Sequence, residues 1–264
     1  MSAVLLVSLG TMHSPADEIS LFVVTGQSNA RANYALGIES GLRASNQWEN
    51  VKIYHSQRGG NPLSNWVAGV DGVFSESTNY TQDLWAADGS SALQQMIADL
   101  ESQGHTVTVE GFFWFQGESD TLSIPDIQQY RSRINWMFNT LRGHYGNFDL
   151  VMTIIDYNRE RPDFIEILGP PAENIEALRT ILVESASDLS AATMDSKGWA
   201  RLDRWHVGDA NDPRGQYGIS TDFGADQAGL MVSRAQCQAD INGDGSINFL
   251  DISAFIQLIG AGCP

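Results

Sequence analysis

The sequence is poor in basic residues and has no long apolar run. It contains 15 Lys and Arg residues against 32 Asp and Glu residues, so its formal net charge is −17 at pH 7. This excess of negative charge argues against nucleic acid or an anionic membrane surface as a partner. No apolar stretch is long enough to cross a bilayer, which argues against a membrane span. The composition favours a protein that meets neutral ligands in water.

Cysteine is also scarce, since the chain has Cys237 and Cys263 and no others. In an exported protein this pair would form a disulfide that closes a small module, whereas in the cytosol they would be two free thiols. Residues 1–16 are typical of a signal peptide or its remnant, because small residues follow the apolar run Ala3 to Leu9. No Lys or Arg precedes that run, and a packed N-terminus is the alternative. We expect a secreted or extracytoplasmic protein.

The pattern of apolar residues predicts one large α/β domain with a small appendage. Strands are predicted at 19–24, 51–55, 106–115, 149–155 and 191–194. Helical spacing predicts helices over 91–103, 125–141, 172–189 and 223–235. The polar stretches before residue 51 and over 68–90 predict irregular chain. Strands that alternate with helices indicate a parallel sheet covered on both faces.

The turn after the first predicted strand carries a candidate nucleophile. Thr25-Gly26-Gln27-Ser28-Asn29 follows the apolar run Ile19 to Val24, and Gly26 can adopt the backbone angles of a sharp turn. Ser28 would then stand at the carboxyl end of a strand, where open α/β sheets bind ligands. The alternative is a helix N-cap, in which Ser or Asn binds free backbone N–H groups. The pentapeptide alone does not decide between the two.

A serine nucleophile needs a base and a carboxylate that orients the base. Of the five histidines, only His206 has an acidic residue three positions earlier, in Asp203-Arg204-Trp205-His206. In a loop, this spacing lets the carboxylate reach one imidazole nitrogen and leaves the other for Ser28. The spacing by itself is also typical of a surface loop pair.

Two further segments offer hydrogen-bond donors to a developing oxyanion. Gly59-Gly60-Asn61 follows the second predicted strand, and a glycine N–H can approach a ligand closely; a plain turn is the alternative. The side-chain amide of Gln116 follows the third strand and can donate; ordinary solvation or bonding within the loop is its alternative. The run Glu118-Ser119-Asp120 has no metal-binding partner at suitable spacing, so we interpret it as loop-stabilising or substrate-side polar groups.

Taken in chain order, these segments resemble the motifs of SGNH hydrolases. The motifs are Gly26-Gln27-Ser28-Asn29, Gly59-Gly60 with Trp66 six residues on, Trp114-x-Gln116-Gly117-Glu118-Ser119-Asp120, and Asp203-x-x-His206. They are most similar to the carbohydrate esterase branch that includes acetylxylan esterases and sialate O-acetylesterases, and the resemblance covers about residues 19–235.

The resemblance implies a flavodoxin-like three-layer fold and removal of O-acetyl groups from carbohydrate, such as xylan or sialic acid, without a catalytic metal. It implies that Ser28 is the nucleophile, His206 the base and Asp203 the residue that orients the base. The implied oxyanion donors are the N–H of Ser28, the N–H of Gly60 and the side chain of Gln116. A lipid-directed SGNH esterase is a weaker alternative.

The chain departs from the family pattern after His206. The Gly- and Asp-rich segment Val207 to Thr221 separates this histidine from the last predicted helix and would be an insertion beside the active site. Either it shapes the substrate pocket, or His206 is not the family histidine and the enzyme is impaired. We favour the first, because no other histidine occurs late in the chain. The competing function is therefore a catalytically impaired carbohydrate-binding or anchoring protein that retains the fold.

Residues 236–264 form a second predicted unit after the esterase domain, 17–235. The stretch Asp240 to Asp251 matches a calcium loop, with oxygen ligands at alternating positions and a glycine at the sharp turn; an acidic turn is the alternative. The candidate ligands are Asp240, Asn242, Asp244, Ser246, Asn248 and Asp251.

The final Asp of this loop and the apolar helix predicted over Ile252 to Ile259 resemble a dockerin-type repeat. Dockerins carry two such repeats, and this chain has one. A disulfide-pinned calcium module, or the remnant of a longer array, fits better than docking to a partner. Protein anchoring through this segment stays an open alternative.

Overall fold

The computed structural model describes residues 17–67, 81–158 and 170–239 of the chain. The strands are β1 Glu18–Gly26, β2 Val51–Gln57, β3 Thr106–Phe115, β4 Asp149–Ile154 and β5 Ala192–Asp195. The helices are α1 Ala32–Ala44, α2 Thr81–Leu84, α3 Ala92–Ser102, α4 Ile124–Tyr145, α5 Ala172–Asp188 and α6 Gly218–Ala239. Two short 3-10 helices cover Leu63–Asn65 and Asp120–Leu122.

The five strands form one sheet in the order β2-β1-β3-β4-β5, and every neighbouring pair is parallel. This is the strand order of flavodoxin-like folds, which bind ligands where the order reverses, between β1 and β3. The two strands end together, since Gly26 pairs with Phe115. The segments that follow them therefore leave the sheet side by side.

Helices cover both faces of the sheet, as the aromatic side chains of β3 show. Phe112 and Trp114 point towards α4, where the ring of Phe138 lies 5.9 and 5.7 Å from theirs between centroids. Phe115 points to the opposite face, 5.7 Å from Tyr34 of α1 and packed beside α6. Because successive side chains of a strand point to opposite faces, the alternation produces three layers. The predicted α/β fold with a parallel sheet is confirmed.

The predicted strands all form, and α3, α4 and α5 lie within a few residues of their predicted bounds. Local capping explains two of the helix starts. The Ser91 side chain accepts a hydrogen bond from the N–H of Gln94 at 3.1 Å at the start of α3. Ser123 precedes α4 in the same way and accepts from the N–H of Asp126 at 3.4 Å, with a proline in the first turn of the helix.

The prediction of irregular chain before residue 51 is wrong, because α1 forms there. Tyr34, Ile38 and Leu42 are buried along one side of this helix. Its backbone packs directly against α6: a Cβ atom at Gly37 would fall 1.9 Å from the carbonyl oxygen of Thr221. Glycine lowers intrinsic helix propensity, yet this close approach requires it. The tertiary contact outweighs the local preference.

The last helix starts earlier than predicted. Helix α6 begins at Gly218 rather than at residue 223, so the end of the segment Val207 to Thr221 is helical. Among the described residues, no helix combines the length and apolar character needed to cross a bilayer. Residues 1–16, the calcium loop with the helix after it, and Cys263 lie outside the described part of the chain, and the side chain of Cys237 is not described.

Candidate active site

Ser28 lies in the tight turn that ends β1. Gly26 has a φ of +141°, and a Cβ atom there would fall 2.2 Å from the carbonyl oxygen of Phe115, so the turn requires glycine. The N–H of Gln27 donates to that same oxygen at 2.8 Å. Helix α1 has Arg31 in its N-cap position, so Ser28 does not cap it. The N-cap alternative for Ser28 is therefore wrong.

The structure brings Ser28, His206 and Asp203 into one hydrogen-bonded chain. Ser28 Oγ lies 2.8 Å from Nε2 of His206. The other ring nitrogen, Nδ1, lies 2.6 Å from Oδ2 of Asp203. Both distances are within hydrogen-bond reach. The carboxylate thus binds one ring nitrogen, and the other ring nitrogen faces the serine hydroxyl.

Asp203 is bound from three directions within its own loop. Its Oδ1 accepts from the backbone N–H groups of Trp205 at 2.8 Å and His206 at 3.0 Å, while Oδ2 accepts from the imidazole ring. Partial burial opposes ionisation of Asp203, but these hydrogen bonds outweigh it and lower the pKa of the carboxyl below its usual range. Asp203 is therefore an anion at neutral pH and can orient a neutral imidazole or stabilise a protonated one.

The Gly59-Gly60 turn lies directly beside the serine. A Cβ atom at Gly59 would be 3.7 Å from the Cβ of Ser28. Arg58, directly after β2, joins this turn to the Ser28 turn: its N–H donates to the carbonyl of Gly26 at 2.9 Å. Within the described residues, the N–H groups of Ser28 and Gly60 donate to no backbone oxygen. Two backbone donors of the serine site thus have no such partner.

Gln116, the third predicted oxyanion donor, is fully buried. Its Nε2 contacts Oδ2 of Asp120 at 2.5 Å, the carbonyl of Asn61 at 3.2 Å and Oε1 of Gln27 at 3.4 Å. Its Oε1 accepts from the hydroxyl of Tyr130 at 2.8 Å. These contacts use both N–H groups of the amide, so donation to a substrate would require this side chain to change partners. Its role as an oxyanion donor stays a prediction.

The run Glu118-Ser119-Asp120 binds the loops around the serine. Glu118 Oε1 accepts from the side chain of Asn29 at 2.6 Å, and Ser119 Oγ accepts from that of Gln27 at 2.5 Å. Asp120 Oδ1 accepts from the N–H of Leu63 at 2.8 Å. These contacts support the interpretation of the run as loop-stabilising. In the part of the chain that the structure describes, no group of three or more His, Cys, Asp or Glu side chains is arranged to bind a metal ion.

A cleft of about 580 Å³ opens over the serine. It is lined by Gln27, Ser28, Gly59, Gly60, Glu118, Ser119, Leu122, Pro170, Asp203, Arg204, Trp205 and His206. Sequence reasoning did not single out Leu122, Pro170, Arg204 or Trp205. Two sequence features could have pointed to the cleft. Leu122 is an apolar residue within a polar loop, and Trp205 is an aromatic residue next to the candidate base.

A family model for carbohydrate esterases matches residues 42–207, more than half of the chain. The family is described as SASA, carbohydrate esterase, sialic acid-specific acetylesterase. The chain belongs to this family. It is a carboxylic ester hydrolase. The matched region contains Gly60, Gln116, Asp203 and His206, and Ser28 lies before it. Among curated proteins, no sequence matches this esterase.

Solved structures share the esterase's fold at low sequence identity. Est24, a carbohydrate acetylesterase from Sinorhizobium meliloti, is 11% identical with a TM-score of 0.51, and the match covers 81% of this chain and 99% of that one. A protein from Arabidopsis thaliana is 14% identical with a TM-score of 0.50, over 83% of this chain and 99% of that one. A protein from Agrobacterium tumefaciens is 11% identical with a TM-score of 0.53, over 81% and 99%. At these identities the likeness shows the fold, which is that of SGNH hydrolases.

The segment after His206 contacts the serine turn of the esterase through Arg31 and through the N–H of Val207, which donates to Asn29. The guanidinium of Arg31 lies 3.9 Å above the ring centre of Tyr217, and its Nε donates to the carbonyl of Ser28 at 3.1 Å. Among the described residues, none of this segment lines the cleft over Ser28. Gly208 and Asp209 instead line a neighbouring cleft of about 610 Å³ at the ends of β4 and β5. The segment thus supports the serine turn from outside the cleft, and the expectation that it shapes the pocket over Ser28 is not met among the described residues.

Proposed function

We propose that this esterase removes O-acetyl groups from carbohydrate through an acyl-enzyme, with Ser28 as nucleophile, His206 as base and Asp203 as its orienting carboxylate. The observation that carries the proposal is the pair of hydrogen bonds at His206, 2.8 Å to Ser28 Oγ and 2.6 Å to Asp203 Oδ2. An Asp-His pair that only stabilised a surface loop would not be expected to bind a serine 178 residues away in the chain, at the end of another strand.

In the first half of the reaction, Nε2 of His206 accepts the hydroxyl proton while Ser28 Oγ attacks the acetyl carbonyl carbon. The carbonyl oxygen becomes an oxyanion, and the N–H groups of Ser28 and Gly60 donate to it. The bond to the sugar oxygen then breaks, and His206 returns the proton to that oxygen. The free sugar hydroxyl leaves, and the acetyl group stays on Ser28.

The second half repeats these steps with water. His206 accepts a proton from a water molecule that attacks the acetyl carbon on Ser28. The same two backbone N–H groups stabilise the second oxyanion. The ester bond to Ser28 breaks, His206 returns the proton to Oγ, and acetic acid leaves and loses its remaining proton to water. Throughout, the ionised Asp203 binds Nδ1–H and stabilises the imidazolium that forms at each step.

The carbohydrate part of the proposal rests on the family and on the cleft. The family description specifies acetyl esters of sialic acid, and Est24, which has the same fold, is described as a carbohydrate acetylesterase. The cleft adds an aromatic side chain, Trp205, directly beside the base. An indole offers an apolar face to a sugar ring while the polar loops around it bind hydroxyl groups.

Acetate release from three substrates tests the proposal: acetylated xylan, O-acetylated sialic acid and p-nitrophenyl acetate. We expect release from at least one of the two carbohydrates, and loss of that release in Ser28→Ala. Activity on p-nitrophenyl acetate alone would contradict the carbohydrate assignment while leaving the esterase assignment intact. Carbohydrate binding without acetate release would indicate the catalytically impaired binding protein instead.

We also propose that Asp240 to Asp251 binds Ca²⁺ and that the protein is exported. The support is the spacing of oxygen-bearing side chains in the loop and the apolar stretch near the N-terminus. Calcium here would stabilise the C-terminal segment, and the proposed chemistry at Ser28 does not use it. Anchoring to another protein through this segment is a further proposal, which a binding measurement with and without Ca²⁺ would test.

A further inference from the structure

Asn29, the residue after the proposed nucleophile, binds the backbone on both sides of the proposed base. Its Nδ2 donates to the carbonyl of Trp205 at 3.0 Å, and its Oδ1 accepts from the N–H of Val207 at 3.0 Å. Trp205 and Val207 are the two chain neighbours of His206. One buried amide thus joins the turn of Ser28 to the loop of His206.

This connection differs from the one that Asp203 makes. Asp203 orients the imidazole, but it lies three residues from His206 in the same loop, so the two would move together if the loop shifted. The contacts of Asn29 cross from that loop to the nucleophile's turn. They therefore set the distance between Nε2 and Ser28 Oγ rather than the orientation of the ring within the loop.

Glu118 determines which way the amide of Asn29 points. Glu118 Oε1 accepts from Nδ2 of Asn29 at 2.6 Å. A flipped amide would place its oxygen against the oxygens of Glu118 and Trp205, and its NH₂ group against the N–H of Val207. All three hydrogen bonds would become repulsive contacts. The observed orientation is the one that satisfies each group.

An acidic residue at this position is costly. Glu118 is 4% exposed, and its Oε2 is buried with no hydrogen-bond partner among the described residues. Burial raises the pKa of Glu118, against the opposing effect of the hydrogen bond from Asn29. A neutral carboxyl can still accept from Asn29 through its carbonyl oxygen. Glutamine, a neutral amide of the same shape, should therefore be able to take the place of Glu118 as the acceptor.

We propose that Asn29 is the positioning residue that sets His206 against Ser28, and that Glu118 positions Asn29 in turn. The proposal rests on the proposed function, because it assigns a role within the same triad. Displacing a reacting group by about 1 Å can lower turnover about 10²-fold. Asn29 does not line the cleft, so its loss should affect kcat rather than substrate binding.

The test compares kcat and KM of full-length Asn29→Ala, Asn29→Asp, Glu118→Ala and Glu118→Gln on p-nitrophenyl acetate. We expect both Asn29 variants to lower kcat about 10²-fold with KM nearly unchanged. Glu118→Ala removes one hydrogen bond and should lower kcat about tenfold, whereas Glu118→Gln should stay within about threefold of the wild type. Rescue by glutamine is a result that general destabilisation would not produce.

Gln227→Ala is the matched control, since it deletes another buried amide that binds Thr153 and Tyr34 away from the cleft. Its folded fraction should retain the wild-type kcat. A wild-type kcat in Asn29→Ala, or equal losses in Glu118→Ala and Glu118→Gln, would overturn the positioning role. Should Asn29→Ala not fold, the two Glu118 variants decide. Wild-type turnover in Ser28→Ala would instead overturn the proposed function, so the two failures are distinguishable.

Discussion

Gly37 of α1 and Thr221 of α6 lie so close that a Cβ atom at Gly37 would fall 1.9 Å from the carbonyl oxygen of Thr221. Helix α1 follows the turn of Ser28, and α6 follows the segment after His206. This backbone contact therefore joins the two parts of the chain that carry the proposed nucleophile and base.

Gly37→Ala should lower the free energy of unfolding by about 1–3 kcal/mol, because the added methyl group meets backbone that cannot move aside without shifting a helix. Gly143→Ala is the control. Gly143 lies in α4, and a Cβ atom there has nothing within 4 Å. That substitution should raise the free energy of unfolding by roughly 0.5–1 kcal/mol. Urea denaturation measures both, and equal stability of the two variants would contradict the close packing.

Asp203 and His206 should act as a unit. Asp203→Ala and His206→Ala should each lower kcat by about 10³-fold or more, and the double variant should be little worse than the poorer single variant. His144→Ala is the control and should keep the wild-type kcat. The His144 ring lies away from the cleft and stacks on the ring of Trp85, with 3.9 Å between the ring centroids. Multiplication of the two single losses in the double variant would show that the residues act independently.

The stability of the protein should fall between about pH 4 and 7 because of Asp120. Burial raises the pKa of this carboxyl to about 7, and its hydrogen bonds to Leu63 and Gln116 only partly offset that effect. Because the folded-state pKa lies above the unfolded value, the stabilisation is complete below the unfolded pKa and is lost as the pH rises through about 7. The full change is about 4 kcal/mol.

Asp120→Asn removes this titration, so the free energy of unfolding of the variant should depend less on pH over that range. Asp188 provides the control: hydrogen bonds from Arg131 lower its pKa to about 2. Its contribution is lost only as the pH falls towards about 2, so Asp188→Asn should keep the wild-type slope between about pH 5 and 7. Equal slopes in wild type and Asp120→Asn would contradict the assignment.

Calcium should stabilise the C-terminal segment and leave ester hydrolysis unchanged. Three of the six candidate ligands, Asp240, Asp244 and Asp251, are carboxylates, and a bound cation would offset their mutual repulsion. Titration calorimetry should detect Ca²⁺ binding by the wild type and its loss in Asp244→Ala. An esterase assay with chelator should match the assay without it. Absence of binding would refute the calcium loop, and loss of activity on chelation would show that the segment affects the active site.

Much of the fold could be predicted because its strands are apolar runs with clear ends. Gly26 lies two residues after the run Ile19 to Val24, and that boundary placed Ser28 at the carboxyl end of β1. Helix α1 was missed because its glycines, Gly37 and Gly41, are typical of loops when considered locally. They are required by α6, which lies far away in the sequence. A contact of this kind leaves no local pattern.

The same limit applies to the site. Motif spacing could point to Ser28 and His206, since each needs only a nearby turn or acid. It could not show that Gln116 is buried against Asp120, or that Asn29 binds both neighbours of His206. Those contacts depend on how the loops after β1 and β3 pack, which the sequence of either loop does not specify.

The central claim is that Ser28 carries the acetyl group during turnover. Mass spectrometry of enzyme quenched during hydrolysis of p-nitrophenyl acetate tests it most directly. The account predicts that the peptide containing Ser28 gains the mass of one acetyl group, and that Ser28→Ala neither gains this mass nor turns over, although it folds. An acetyl group on another residue, or wild-type turnover in a well-folded Ser28→Ala protein, would contradict the account.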